Sequence, residues 1–157
     1  MLLFKNLLFT LVVPGTVAVY VPRLMTRGLP PSSDRAAAFS VLAFAAGASI
    51  YAWCVWDFAA FGRGTPAPID APRRLVARGL YRYSRNPMYI GVLTVILAWA
   101  VRFQSAVILL YAMLIGSLFH LVVILYEEPH LHRTFGDEYD AYRRRVGRWL
   151  PGTGQGA

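Results

Sequence analysis

The chain has 157 residues, of which 57% are hydrophobic and 15% charged, and its formal net charge is +8. Soluble domains average about a quarter charged residues, so the composition excludes a disordered chain and argues against an ordinary soluble domain. The single cysteine, Cys54, has no partner for an internal disulfide. The length predicts one domain over residues 1–157.

Four apolar stretches follow one another along the chain, and they predict an all-α integral membrane protein with four transmembrane helices. The predicted spans cover about 2–21, 36–61, 87–101 and 105–126. A bilayer crossing needs about 20 mostly apolar residues, a length that the second and fourth stretches reach. The third is short, begins at Pro87 and connects to the fourth through a turn at 102–104. The first contains Lys5, Asn6 and the pair Pro14-Gly15, and a cleaved signal peptide is the alternative for it.

The basic residues are distributed unevenly between the predicted loops. With four spans, twelve Lys and Arg residues lie on the side of both termini and of loop 62–85, and four lie on the opposite side. By the positive-inside rule both termini face the cytoplasm, in a bacterial inner membrane. The basic excess by itself fits nucleic acid, anionic lipid or an anionic cofactor. A basic surface beside a bilayer already faces anionic phospholipid, so nucleic acid binding is not expected.

The segment after the fourth span, 127–148, is polar and carries apolar residues at spacings of three or four. These residues are Leu131, Phe135, Tyr139, Tyr142 and Val146. The spacing predicts an amphipathic helix, interrupted near Gly136, that lies on the membrane or closes over the bundle. Residues 151–157 are predicted to be a flexible tail. Because the third and fourth helices form a hairpin, segments 73–89 and 127–148 should meet in space.

Two features of these segments each allow a structural and a functional interpretation. Glu127 and Glu128 lie at the membrane boundary, either as a solvated helix end where Pro129 stops the helix, or as acceptors for a cationic or hydroxyl-rich ligand. Asn86 precedes Pro87 in the order of an N-cap and first helical residue. The helix start there either is simply capped or also receives an anionic ligand group on its free amides.

Three further residues in the predicted spans are candidates on chemical grounds. Asp57 lies near the end of its span and either reaches water or has a function, because ionisable groups in membranes are often functional. His120 is placed to line a cavity beneath the acidic pair or to bond to a neighbouring helix. Cys54 is interpreted as a packing residue. The sequence has no zinc-ligand spacing and no glycine-rich nucleotide loop, so no metal site is predicted.

The pattern running from Gly79 to Gly91 (GLYRYSRNPMYIG), followed by Glu127-Glu128, by Phe135-Gly136-Asp137-Glu138-Tyr139 and by Trp149-Leu150-Pro151, resembles the isoprenylcysteine carboxyl methyltransferase family. Phospholipid N-methyltransferases share the general plan. The resemblance covers about half of the chain. It implies S-adenosylmethionine as cofactor, bound where the loop before the hairpin meets the acidic segment after it. The cofactor contacts that it implies are Arg73, Leu75, Val76, Tyr81, Asn86, Pro87, Met88, Tyr89, Glu127 and Glu128.

The resemblance implies methyl transfer to a lipophilic acceptor that enters from the bilayer, with carboxyl O-methylation of an isoprenylcysteine-like substrate favoured. Phospholipid amine N-methylation is one alternative, and a non-enzymatic protein that binds anionic lipid is another. A reductase or isomerase of similar topology is a further rival. Arg85, His120 and Arg145 are candidates for substrate contact, and no catalytic base is assigned. The chain departs from the family pattern at Asn86, where many members have His, and at Val123, where eukaryotic members have Arg.

Overall fold

A computed structural model describes residues 10, 12–62 and 74–151, and this part of the chain is helical with no strand. Six helices follow in order: α1 Thr16–Met25, α2 Asp34–Asp57, α3 Pro87–Phe103, α4 Ala106–Val122, α5 Glu128–Phe135 and α6 Asp137–Arg145. Helix α1 begins as a π-helix, Thr16–Tyr20, and continues as the α-helix Val21–Met25. A π-helical turn, Phe58–Gly62, extends α2, and a 3₁₀ helix, Gly79–Arg82, precedes α3.

Within the described ranges, two helices are long and apolar enough to cross a membrane. They are Asp34–Phe61 and Ala106–Phe135, of 28 and 30 residues. The predicted third span is the shorter helix Pro87–Phe103, and most of the predicted first span lies outside the described residues, which contain only the short helix Thr16–Met25. The predicted boundaries at 36–61 and 87–101 agree with the observed helices to within two residues, whereas the number of spans stays a prediction.

The hairpin between α3 and α4 is as short as predicted. Helix α3 ends at Gln104, whose left-handed backbone (φ 47°) reverses the chain, and the Ser105 Oγ accepts a hydrogen bond from the Ile108 N–H at 3.4 Å to cap α4. We call this end of the bundle the turn end. The opposite end, where α3 begins at Pro87 and α4 finishes beside Glu127, is the site end.

Pro129 does not stop the fourth helix, contrary to one interpretation of the sequence. A π-helical turn, Val123–Glu127, continues α4 directly into α5, and the Glu128 N–H bonds to the Val123 carbonyl five residues back. A proline in an α-helix lacks an N–H donor and its ring collides with the carbonyl four residues earlier. The wider turn immediately before Pro129 makes room for the ring, and α5 breaks only at Gly136 (φ 51°), which starts α6.

Helices α2 and α3 cross in direct backbone contact. A Cβ atom added to Gly47 would lie 2.7 Å from the Gly91 carbonyl oxygen, and one added to Gly91 would lie 2.9 Å from the Gly47 oxygen. Small residues at a crossing let helices approach closely, as is common in membrane proteins. Beyond Gly91 along α3, the core is formed by Val92, Val95 and Ile96 of α3 against Ile108, Ala112 and Ile115 of α4.

Candidate functional site

The two polar segments predicted to meet do meet at the site end. The Arg85 backbone N–H donates to the Gly147 carbonyl at 2.9 Å, and the Ser84 Oγ donates to the Arg148 carbonyl at 3.2 Å. The Tyr142 hydroxyl donates to the Tyr81 carbonyl at 2.7 Å. These bonds join positions 61 to 64 residues apart in sequence, so α5 and α6 close over the ends of α3 and α4.

A cavity of about 220 Å³ lies where these segments cover the bundle. Its wall toward the bundle is apolar and aromatic, with Val17 from α1, Tyr51 from α2, Val92 from α3 and Phe119 from α4. The covering segments contribute most of its polar groups. Such a cavity, largely apolar with a few convergent polar groups, is typical of a small-molecule site.

Seven of the ten predicted cofactor residues line this cavity: Leu75, Val76, Tyr81, Asn86, Met88, Tyr89 and Glu127. Pro87 is buried in the first turn of α3 but does not line the cavity. Glu128 lies beside the cavity without lining it. Arg73 falls outside the described residues.

Glu128 is held by two arginines. Its carboxylate accepts bonds from the Arg148 Nε and Nη2 at 2.7 and 2.9 Å, and the Arg85 Nη1 lies 3.1 Å from the same carboxylate. The Arg85 Nη1 also donates to the Tyr139 hydroxyl at 3.2 Å. The bond to Glu128 raises the pKa of the Arg148 guanidinium further above its ordinary value. The two arginines neutralise Glu128. The carboxylate therefore joins α5 to the loop at Arg85 and to the C-terminal segment at Arg148.

Glu127 has a different environment from its neighbour. The Tyr89 hydroxyl donates to its carboxylate, and no cation among the described residues pairs with it. Its side chain faces the cavity. A partly buried carboxylate without a cation is costly, and a positively charged or hydroxyl-bearing ligand would offset that cost.

Asn86 occupies the N-cap position of α3, but its side chain makes no capping bond. Its amide Nδ2 donates to the Arg148 carbonyl at 3.1 Å instead, so the capping role predicted for the side chain is wrong. The physical reason is tertiary. The incoming 147–148 segment brings the Arg148 carbonyl within reach, and this carbonyl accepts bonds from both the Ser84 hydroxyl and the Asn86 amide.

The three predicted substrate contacts separate in the structure. Arg85 is buried and lines the cavity, with its guanidinium on Glu128. His120 does not line the cavity, which was one of its two interpretations, and its Nδ1 accepts a bond from the Trp149 Nε1 at 3.1 Å on the exposed side of α4. Arg145 is exposed, with its Nε donating to the Ala141 carbonyl of its own helix at 3.2 Å.

Two residues of the second predicted span, Asp57 and Cys54, are both buried. Asp57 does not reach water, since it is only 2% exposed. One of its oxygens lies 3.7 Å from the Arg78 Nε, the other has no hydrogen-bond partner among the described residues, and Arg78 also lies over the Phe61 ring. Cys54 packs against Val76 and Tyr81, in agreement with the packing interpretation.

Sequence reasoning missed His130, Tyr126 and Tyr142 as cavity residues. The first two could have been found from spacing, since His130 follows Glu127 by three residues and Tyr126 by four, which places all three on one helical face. The π-helical turn at Val123–Glu127 makes this face continuous with α5. Tyr142 was assigned only to the amphipathic face, because its bond to the Tyr81 carbonyl depends on tertiary structure.

Two buried tyrosines beside the cavity, Tyr81 of the 3₁₀ helix and Tyr142 of α6, stay protonated. Burial raises the pKa of Tyr81 and of Tyr142 above its ordinary value. Both phenols therefore stay neutral at physiological pH and act there as hydrogen-bond donors rather than bases.

The fold and the site define a class: over the residues described, a helical protein with membrane-length helices and a cavity that a loop and the C-terminal helices close at one end of the bundle. The phospholipid methyltransferase family matches the chain over residues 36–138. The chain therefore belongs to this family of membrane methyltransferases, which includes isoprenylcysteine-methyltransferase-like members, and the family predicted from the sequence is confirmed.

Individual relatives match shorter parts of the chain. Methanethiol S-methyltransferase 1 of Bradyrhizobium diazoefficiens is 35% identical over 80 residues, which cover 51% of this chain and 27% of the relative. The methanethiol S-methyltransferase of Mycobacterium tuberculosis is 40% identical over 73 residues, which cover 46% of this chain and 28% of the relative. An uncharacterized protein of Haemophilus influenzae is 33% identical over 63 residues, 40% of this chain and the whole of that protein. No solved structure matches the chain.

Proposed function

We propose that this chain transfers a methyl group from S-adenosylmethionine to a neutral, largely apolar acceptor, and that the donor binds at the site end. The observation that supports the proposal is that the two adjacent carboxylates have different partners. Glu128 is neutralised by Arg85 and Arg148, whereas Glu127 faces the cavity with only the Tyr89 hydroxyl as its partner.

The residues of the cavity fit this methyl donor, which supplies an electrophilic methyl group on a sulfonium when bound. Glu127 would accept bonds from its ammonium or ribose hydroxyls. Apolar side chains such as Val76, Leu131 and Phe135 would pack on its adenine. Its carboxylate would be received by free amides at the start of α3, since Arg85 is already paired.

The charge of the cavity favours a neutral acceptor over a carboxylate. Among its described lining residues, Glu127 is negative and Arg85 is already matched by Glu128. A carboxylate acceptor would therefore lie near Glu127 without a free cation to balance it. A thiol fits better, and two relatives are named for S-methylation of a thiol. An isoprenylcysteine-like carboxylate and a phospholipid amine are the competing acceptors.

The apolar bundle wall supports entry of the acceptor from the bilayer. Val17, Val92 and Phe119 belong to apolar helices, and an apolar molecule can reach them without crossing water. We further propose four spans with both termini cytoplasmic, on the distribution of Arg residues. Fusions of alkaline phosphatase and of a fluorescent protein at the C-terminus test the orientation, and phosphatase activity there would contradict it.

Calorimetric titration of detergent-purified protein with S-adenosylmethionine and S-adenosylhomocysteine tests the donor site. We expect saturable binding by the wild type and about 10- to 100-fold weaker binding by Glu127→Gln, which loses one charged acceptor. The matched control is Glu138→Gln, an exposed acid in the first turn of α6, with unchanged affinity. Wild-type affinity in Glu127→Gln, or no binding by folded wild type, would contradict the proposal.

The acceptor is then identified by supplying ethanethiol, an S-prenylated cysteine and phosphatidylethanolamine to the same preparation with labelled S-adenosylmethionine. Transfer to ethanethiol is the expected result. Transfer to the prenylated cysteine alone would reinstate carboxyl methylation, and binding of anionic vesicles without donor binding would favour a non-enzymatic role.

A further inference from the structure

His130 stands out among the described cavity residues because its imidazole is uncommitted. It lines the cavity in the first turn of α5, partly buried, and its ring stacks on the Tyr126 ring with centroids 6.0 Å apart and planes 6° apart. No described group forms a hydrogen bond with its ring nitrogens. The other two histidines are engaged, His120 with Trp149 and His132 with Asp140.

We propose that His130 is the general base that removes the proton of the acceptor as the methyl group is transferred. The inference rests on the proposed function and adds to it a catalytic residue and a requirement on the acceptor, which must carry an acidic proton. A thiol is a weak nucleophile until it loses that proton, and imidazole is the side chain most often used as a base near neutral pH.

The other titratable and charged groups that line the cavity are less suited to this role. They are Tyr126 and Glu127 before α5, Tyr89 on α3, Tyr51 on α2, Tyr81 and Arg85 in the loop, and Tyr142 on α6. The arginine is a donor only and is paired with Glu128, and phenols are protonated near neutral pH. Glu127 already accepts the Tyr89 hydroxyl and is assigned to the donor.

The surroundings of His130 also suit the charge that it would gain. Glu127 precedes it by three residues on the same helical face, so a protonated imidazole would lie near a carboxylate that no arginine or lysine among the described residues neutralises. The Tyr126 ring stacked on it can stabilise a cation through its π-face.

During the transfer, the S–H bond of the acceptor breaks and its proton moves to the free ring nitrogen of His130. The sulfur electron pair forms a new S–C bond to the methyl carbon, while the bond between that carbon and the sulfonium breaks and its electron pair stays on the departing sulfur. The products are a methyl thioether, a neutral S-adenosylhomocysteine and a protonated His130, which returns its proton to water.

The test compares His130→Asn with His132→Asn, a substitution of an exposed histidine two residues away on the same helix. Rates of methyl transfer to ethanethiol are measured between pH 5.5 and 9. We expect kcat/KM of His130→Asn to fall by about 10²- to 10⁴-fold at neutral pH and to recover toward high pH, where the thiol ionises unaided. His132→Asn should keep the wild-type profile. An unchanged pH profile in His130→Asn would overturn the proposal.

A second readout does not depend on turnover. Diethyl pyrocarbonate modifies accessible imidazoles, and mass spectrometry reports each histidine separately. We expect S-adenosylhomocysteine with ethanethiol to slow modification of His130 and not of His132, and equal rates with and without ligands would overturn the placement. If the folded wild-type protein does not bind S-adenosylhomocysteine, the proposed function itself is refuted. Donor binding without methylation of any thiol would leave the donor site standing and refute this inference.

Discussion

The two ends of the bundle are built by different means. At the turn end, α3 and α4 are joined by two residues, Gln104 and Ser105, and the long-range bonds that Ser32 forms with Val101 and Arg102 there include no ion pair among the described residues. At the site end, contacts join residues about 60 positions apart, and charged groups of the loop and the C-terminal helices are buried together. Buried charge is expensive unless matched, so the difference indicates that the site end is maintained for binding rather than for stability alone.

Packing between α2 and α3 follows the same division. Toward the site end the two backbones touch at Gly47 and Gly91. Toward the turn end the helices leave a cavity of about 300 Å³, lined by residues such as Phe44, Ala98 and Arg102. Close packing is therefore concentrated where α3 must hold Tyr89 in position beside Glu127.

The largest expected effect is the loss of the buried arginine. Arg85→Met keeps the stem but removes the charged bond to Glu128, only 12% exposed at its side chain, and the bond to the Tyr139 hydroxyl, so we expect a loss of about 2–4 kcal/mol in the free energy of unfolding. Arg102→Met at the turn end removes a bond to the Ser32 carbonyl and a contact over the Phe103 ring, and should cost about 1 kcal/mol.

Denaturation in mixed detergent micelles measures both losses. Where Arg85→Met fails to fold, Arg85→Lys, which keeps the positive charge but not the guanidinium geometry, provides a milder version of the same change. Equal losses for the two arginine variants would remove the distinction between the two ends.

The next largest effect concerns the helix crossing. In Gly91→Ala the new Cβ would lie 2.9 Å from the Gly47 oxygen and 3.1 Å from the Tyr51 nitrogen, both backbone atoms that cannot easily move. We expect a loss of about 1–3 kcal/mol. Gly116→Ala is the control, because its nearest neighbours are Leu93 methyl groups at 3.6 and 3.7 Å, an ordinary contact. That variant should be neutral or gain up to about 1 kcal/mol. A stable Gly91→Ala would show that the crossing can adjust.

The smallest effect concerns pH. Burial raises the pKa of Tyr81 and Tyr142 in the folded state, so the unfolded chain loses these protons first as pH rises. Stability from these groups is complete below about pH 10, the ordinary value for tyrosine, and falls as pH rises above it toward the folded-state values.

Tyr142→Phe removes the bond to the Tyr81 carbonyl, at a cost of about 1 kcal/mol at pH 7, and should flatten part of the alkaline loss. Unfolding measured from pH 7 to 11 in both proteins checks the two effects together. An identical alkaline slope in the variant would mean that Tyr142 ionises as readily in the folded state as in the unfolded chain.

Much of this architecture was determined by the sequence. Apolar runs specify helices through burial, so the bounds of α3, and of α2 together with its π-helical extension, followed to within two residues, and the short turn after Phe103 placed segments 73–89 and 127–148 side by side. The family followed from ordered motifs on these segments, and seven of the predicted cofactor residues line the cavity.

Only the tertiary structure decided what each polar group does there. Adjacent glutamates look alike in sequence, yet one meets two arginines from distant positions and the other faces a cavity, because the π-helical turn at Val123–Glu127 and the returning 147–148 segment determine their partners. The C-terminal segment also determines the partners of Asn86 and His120. Asn86 donates to the Arg148 carbonyl instead of capping α3, and His120 accepts from Trp149 outside the cavity. Hydrophobic periodicity encodes which face of a helix is buried, whereas hydrogen-bond partners depend on which segments meet, and a single sequence does not carry that information locally.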